Sequence, residues 1–137
     1  MFEVIYYSLT GNTRKVAEAI AAELDVSAED VKTKGKLAKD SFVLLGSGCY
    51  FPMRGRGFKK FVARNYFDGR KVALFGTSGG GKGEEVEALE EMVTAKGAKV
   101  AGKFYCKGKS FFFISRKHPT SEDLENARKF ARKMKKT

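Results

Sequence analysis

The chain has 137 residues, with 27 lysines and arginines against 16 aspartates and glutamates, and so a formal net charge of +11. With 42% hydrophobic and 12% aromatic residues it can bury one core of ordinary domain size, which excludes disorder over its whole length. No apolar run approaches the roughly 18 residues that span a bilayer, and Met1 leads into a mixed segment without a signal-peptide pattern, so a soluble, cytoplasmic protein is expected.

Phe2 to Tyr7, rich in β-branched and aromatic residues, reads as a strand that runs into the turn from Ser8 to Asn12. Val16, Ala17, Ile20, Ala21 and Leu24 follow at helical spacing, with Asn12 or Thr13 as the expected N-cap. Residues 25 to 40 are polar, and either Asp25 to Ser27 or Asp30 to Lys32 is expected to supply a short edge strand. Phe42 to Leu45 and Val72 to Phe75 are short apolar runs bounded by Gly46 and Gly76, as in strands covered on both faces of a parallel sheet.

Between those two runs, Phe58, Phe61 and Val62 predict a short helix. Glu84 to Ala95 presents Val86, Leu89, Met92 and Val93 on one face, opens on glutamates that suit the helix dipole, and ends near Gly97. A fifth strand is expected around Val100 to Cys106. The last helix follows a Thr120 N-cap with Asp123 at the capping-box position, along the stripe Leu124, Ala127, Phe130/Ala131, Met134. Alternating strands and helices predict one open parallel α/β sheet with helices on both faces, in a single domain over residues 1–137.

The charge is uneven. Residues 1–53 sum to −1, 54–71 to +6, 72–102 to −2 and 103–137 to +8, so one loop region and the C-terminal third carry the excess. Cys49 and Cys106 form no C-x-x-C and define neither a zinc site nor a redox dithiol. His118, the only histidine, precedes a helix cap and is assigned a structural role. No catalytic triad, metal-ligand cluster or carboxylate pair stands out.

In open parallel sheets ligands sit beyond the carboxyl ends of the strands, which directs attention to three loops. Ser8-Leu9-Thr10-Gly11-Asn12-Thr13 joins the first strand to a helix N-terminus, where backbone N–H groups and four polar side chains suit a phosphate dianion. Gly46 to Pro52, with Ser47, Gly48, Cys49, Tyr50 and Phe51, follows the third strand. Gly76-Thr77-Ser78-Gly79-Gly80-Gly81-Lys82 follows the fourth and satisfies G-x-x-x-x-G-K of a nucleotide-binding loop, but residue 83 is Gly where the Mg²⁺-binding Ser or Thr belongs, so that reading is set aside.

The first loop resembles the phosphate loop of flavodoxins, a Ser or Thr, any residue, then Thr-Gly-Asn-Thr, and every specified position is met. The likeness extends to the end of the chain, where Phe104 to Gly108, His118-Pro119-Thr120 and Glu122-Asp123-Leu124 are similar to a group of bacterial and archaeal flavodoxin-domain proteins. The resemblance implies a five-stranded sheet of order 2-1-3-4-5 and noncovalent FMN, with phosphate on Ser8 to Thr13. It implies ring contacts from Ser47 to Phe51, with Tyr50 or Phe51 as the aromatic platform, and from Thr77, Ser78, Gly79, Gly80 and Gly81. Residues 77–87 contain no aromatic, a departure from many flavodoxins that leaves Phe111, Phe112 or Phe113 to cover the ring.

The implied function is electron transfer between redox partners, with a monomer as the default state. An FMN-dependent NAD(P)H or quinone reductase and a nucleic-acid-binding module are the alternatives. Flavodoxins are usually acidic, so the +11 charge points first to an acidic electron-transfer partner, and less to nucleic acid contacted through Arg54, Arg56, Lys59, Lys60, Arg64 and the last helix.

Overall fold

The computed structural model describes residues 1–8, 11–48, 56–78, 83–107 and 119–137. In chain order these form β1 (Phe2–Tyr7), α1 (Asn12–Glu23), β2 (Ala28–Asp30), β3 (Phe42–Gly48), α2 (Arg56–Ala63), β4 (Lys71–Ser78), α3 (Glu84–Thr94), β5 (Lys99–Lys107) and α4 (Ser121–Lys135). All four strand pairings are parallel, and the spatial order is β2-β1-β3-β4-β5, as expected. The chain moves outward from β1 to β2 and then reverses through β3 to β5. Right-handed crossovers therefore put helices on both faces and leave a ligand crevice where the order reverses, between β1 and β3.

Alternation along each strand builds two cores. On one face Val4, Tyr6, Leu44, Ala73 and Phe75 pack under α1 and α4 through Val16, Ile20, Phe130 and Met134. On the other face Ile5, Val43, Leu45, Val72 and Leu74 pack under α2 and α3 through Phe58, Phe61, Val86, Leu89 and Val93. The predicted helical stripes are thus the buried ones, except that Met92 and Leu124 are only partly covered. Burying a Leu, Val or Phe contributes roughly 1.5–3 kcal/mol, so these two layers dominate the stability.

The edge strand differs from both expected positions. Residues 25–27 are taken up by the turn that leaves α1: Asp25 sits at φ 58 and the Val26 N–H donates to the Ala21 carbonyl at 3.0 Å. From Val31 the chain turns, the Lys32 N–H donating to Asp30 Oδ1 at 2.8 Å. Only Ala28–Asp30 remains free to pair, against Val4, Ile5 and Tyr6.

At the amino end of the sheet a charged network clamps the segment between β2 and β3. Glu3, in β1, accepts from Ser41 Oγ at 2.6 Å and the Ala38 N–H at 3.0 Å, and pairs with Lys34 at 2.8 Å. Arg70, 9% exposed, donates through Nη1 to Ser41 Oγ at 2.8 Å, the Ser41 carbonyl at 2.9 Å and the Ala38 carbonyl at 3.2 Å, and through Nε to the Tyr66 carbonyl at 2.8 Å. Burial pushes the Glu3 carboxyl up, but hydrogen bonds from Lys34, Ser41 and Ala38 with the Lys34 charge outweigh it, and its pKa falls below the ordinary carboxylate value.

Candidate functional site

The carboxyl ends of the central strands gather five of the eight buried polar residues found among the described residues: Asn12, Thr13, Ser47, Thr77 and Glu85. Strand register explains the grouping. Ser47 lies beside Tyr7 and Gly76, Thr77 lies between Gly48 and Cys106, and α1 starts over the same edge.

The start of α1 differs from the expected cap. The N-cap is Gly11, at φ 90 and ψ −5, where a side chain is strained, and among the described residues no side chain caps the helix. Asn12 and Thr13 are the first and second helical residues instead, both buried. The Gly11 N–H donates to Ser8 Oγ at 3.0 Å, which holds the turn closed from outside the helix. No acidic residue lies in the first turn. The first turn of α1 thus brings the positive end of the helix dipole together with a hydroxyl and an amide side chain and without an acidic residue, a donor set that fits a phosphate dianion.

The other two described N-caps differ from this one. α4 begins with a complete capping box: Thr120 Oγ1 accepts from the Asp123 N–H at 3.1 Å and the Thr120 N–H donates to Asp123 Oδ2 at 2.8 Å. α3 follows Gly83 at φ 76, also without a side-chain cap, but its first residues are Glu84 and Glu85. Of the three, only α1 has neither a capping side chain nor an acidic first turn.

Thr13 is joined to the far side of the site. Its Oγ1 lies 2.7 Å from Thr77 Oγ1, in a hydrogen bond between buried hydroxyls 64 residues apart. Ser47 Oγ donates to the Gly48 carbonyl at 2.9 Å. Glu85, 2% exposed, lies against Gly76, where an added Cβ would overlap the carboxylate; glycine is required there by close approach. Ser47, Gly48, Lys59, Glu85, Leu89 and Met92 line a cleft of about 380 Å³ between α2 and α3 that opens at this edge.

Cys106 sits on β5 beside Thr77. Burial, with the charges of Asp123 and Glu85, pushes its thiol up to about 12, so it stays protonated at neutral pH and is a poor nucleophile or ligand. Among the described residues no group of three or more His, Cys, Asp or Glu is placed to hold a metal, and no helix is long and apolar enough to cross a membrane.

Of the sequence-predicted site, Ser8, Gly11, Asn12, Thr13, Ser47, Gly48 and Thr77 come together at one edge, and the backbone of Ser78 ends β4 beside them. Leu9, Thr10, Cys49, Tyr50, Phe51, Gly79, Gly80 and Gly81 lie outside the described residues, as do Arg54, Phe111, Phe112, Phe113 and His118. Sequence reasoning missed Glu85 as a site residue. Its signal was position: the second residue of a helix that follows a glycine run, one turn before the buried Leu89.

The basic residues also resolve into distinct groups. Arg70 belongs to the amino-end clamp and not to the surface. Arg128 and Arg132 pair with Glu125, and Arg132 also with Glu23. Gly102 and Phe104 of β5 meet Met134 and Phe130, so α4 runs antiparallel to the strands and its exposed Lys133 and Lys136 lie at the amino end. α2 instead starts beside Val31 and Tyr7, with Lys59 in the carboxyl-end cleft and Lys60 exposed.

A parallel sheet of this order, with its topological switch point between β1 and β3, defines the flavodoxin-like class of doubly wound α/β folds. Within that class, a family model for the flavodoxin domain matches residues 3–113, and the chain belongs to the flavodoxin-like family. A flavodoxin of Clostridium beijerinckii is 31% identical over 109 residues, covering 72% of this chain and 79% of that protein. An uncharacterized protein of Methanocaldococcus jannaschii is 28% identical over 132 residues, 88% of each chain. In fold, a flavodoxin of Streptococcus pneumoniae superposes with a TM-score of 0.72 at 18% identity, covering 96% of this chain and 94% of that one.

Proposed function

We propose that residues 1–137 act as one flavodoxin-like domain that holds FMN noncovalently and carries electrons between redox partners. The start of α1 supports this most strongly, since its first turn holds hydroxyl and amide side chains and no acidic residue, while α4 opens on its own Asp123 capping box. Ser8, Thr10, Asn12 and Thr13, with the N–H groups of the Leu9–Thr13 turn, would hold the phosphate, and Gly11 allows the backbone to turn toward it. Ser47, Gly48 and the backbone of Thr77, whose side chain is turned to Thr13, would form the strand edge on which the ring rests, with Tyr50 and Phe51 from one loop and Ser78 to Gly81 from the other as the expected flanking residues.

Bound FMN supplies the one- and two-electron chemistry. The chain's part is to bind, to orient and to set the local field. Positive charge near the ring favours the reduced, anionic form; Lys59 at the cleft would contribute it, opposed by Glu85 and Glu91 in the same lining.

The partner we infer is an acidic electron-transfer protein that docks over α2, where Lys59 lines the cleft and Lys60 is exposed, rather than over the distant end of α4. The absorbance spectrum of the purified protein tests the cofactor. Flavin bands in the blue, or their appearance on adding FMN to apoprotein, are expected; a colourless protein that takes up no FMN would overturn the function and leave the fold.

A further inference from the structure

The hydrogen bond between Thr13 and Thr77 bears on how the phosphate site is switched on. Two hydroxyls at 2.7 Å share one proton between them, and either oxygen can be its donor. Both side chains are buried, so water does not supply a substitute partner readily. An anion at the start of α1 demands protons from the groups around it. Thr13 can turn its own proton toward that anion only if the proton between the two oxygens comes from Thr77.

We propose that Thr77 is a positioning residue for the anion, acting through Thr13: anion binding fixes the direction Thr77 O–H to Thr13 Oγ1, and Thr13 O–H to the anion. Chained hydrogen bonds ending on a charge reinforce each other. The relay also crosses the site, from the second residue of α1 to the next-to-last residue of β4, immediately before the glycine-rich loop. Linkage makes the coupling reciprocal, so a change at the end of β4 alters anion affinity by the same factor as the anion alters the end of β4. This inference rests on the flavodoxin reading in taking the anion to be the FMN phosphate.

The test compares inorganic phosphate, FMN and riboflavin binding to the apoproteins of the wild type, Thr13→Val, Thr77→Val, Thr77→Ser and the double Val variant, with thermal unfolding as the control for folding. Thr77→Val is expected to weaken phosphate and FMN about three- to tenfold and riboflavin by less than about twofold. Thr77→Ser, which keeps the hydroxyl, is expected to restore most of the affinity. The double variant should bind no more weakly than Thr13→Val alone, because Thr77 acts only through Thr13.

Equal losses for FMN and riboflavin in Thr77→Val, no loss at all, or a Thr77→Val loss that adds in full to that of Thr13→Val would each overturn the inference while leaving FMN binding intact. A wild-type apoprotein that binds neither phosphate nor FMN overturns both the inference and the reading beneath it.

Discussion

The two ends of the same sheet hold their buried polar residues in different settings. At the amino end Glu3, Ser41 and Arg70 satisfy one another and the backbone, with Lys34 completing the charge balance. At the carboxyl end the buried set is Asn12, Thr13, Ser47, Thr77 and Glu85, beside a helix start left uncapped. Desolvated polar groups cost stability unless paired, so a closed network marks an end that is structural. The end that keeps small hydroxyls and a first helical turn without acidic residues is the one at which we propose that FMN binds.

Breaking the closed end should cost the most stability and the least binding. Glu3→Ala strips acceptors from Ser41, Ala38 and Lys34, and a loss of about 2–4 kcal/mol in urea unfolding is expected, with FMN affinity within about twofold of wild type. The pH dependence has a definite sign. Because the Glu3 pKa is lowered in the folded state, its contribution is complete above the ordinary carboxylate range and is lost as pH falls through the folded value. Glu3→Gln should therefore flatten the acid limb of a stability–pH profile.

Two helix starts give the next contrast. Gly11→Ala places a side chain at φ 90 and is expected to cost about 1–2 kcal/mol while also weakening FMN binding. Thr120→Ala breaks the α4 capping box for about 1 kcal/mol and should leave FMN affinity unchanged. Loss of binding in both, or in neither, would erase the distinction between an open and a closed terminus.

Charge reversal sharpens the same contrast along the surface. Lys59→Glu with Lys60→Glu should slow association with an acidic redox protein by about tenfold at low salt, and the gap should shrink as ionic strength rises. Lys133→Glu with Lys136→Glu, at the other end, should change the rate by less than about twofold. Stopped-flow mixing separates the two outcomes.

Cys106 gives the smallest effect. With its thiol pushed up to about 12, alkylation by iodoacetamide at pH 8 should be slow in a Cys49→Ser background and accelerate only on unfolding.

Most of the fold was legible because burial and periodicity agree. Val4 and Ile5 alternate between the two cores as a strand covered on both faces must, and Phe58, Phe61 and Val62 mark α2 despite its short length. Ala28–Asp30 was not legible: an edge strand of three residues pairs on one side only, and its half-exposed residues carry no apolar pattern. The clamp was equally hidden, since Glu3, Ser41 and Arg70 lie far apart in sequence and no spacing announces them. A glutamate inside a buried strand was its only trace.

The residues proposed to hold the phosphate stand out as a set in the sequence, because their order alone carries the resemblance. Which residue caps α1 was not, since Asn12 and Thr13 have better capping chemistry than Gly11, and only the left-handed turn at Gly11 decides against them. The Thr13–Thr77 bond depends on a register between elements 64 residues apart that local patterns do not encode.

Adding FMN to the ¹⁵N-labelled apoprotein and following the amide signals tests the two-ended account most directly. Saturable shifts at Gly11, Asn12, Thr13, Ser47, Gly48 and Thr77, with Glu3, Ser41 and Arg70 unmoved, are predicted. Shifts centred on the amino end, or no shifts at any FMN concentration, would contradict it.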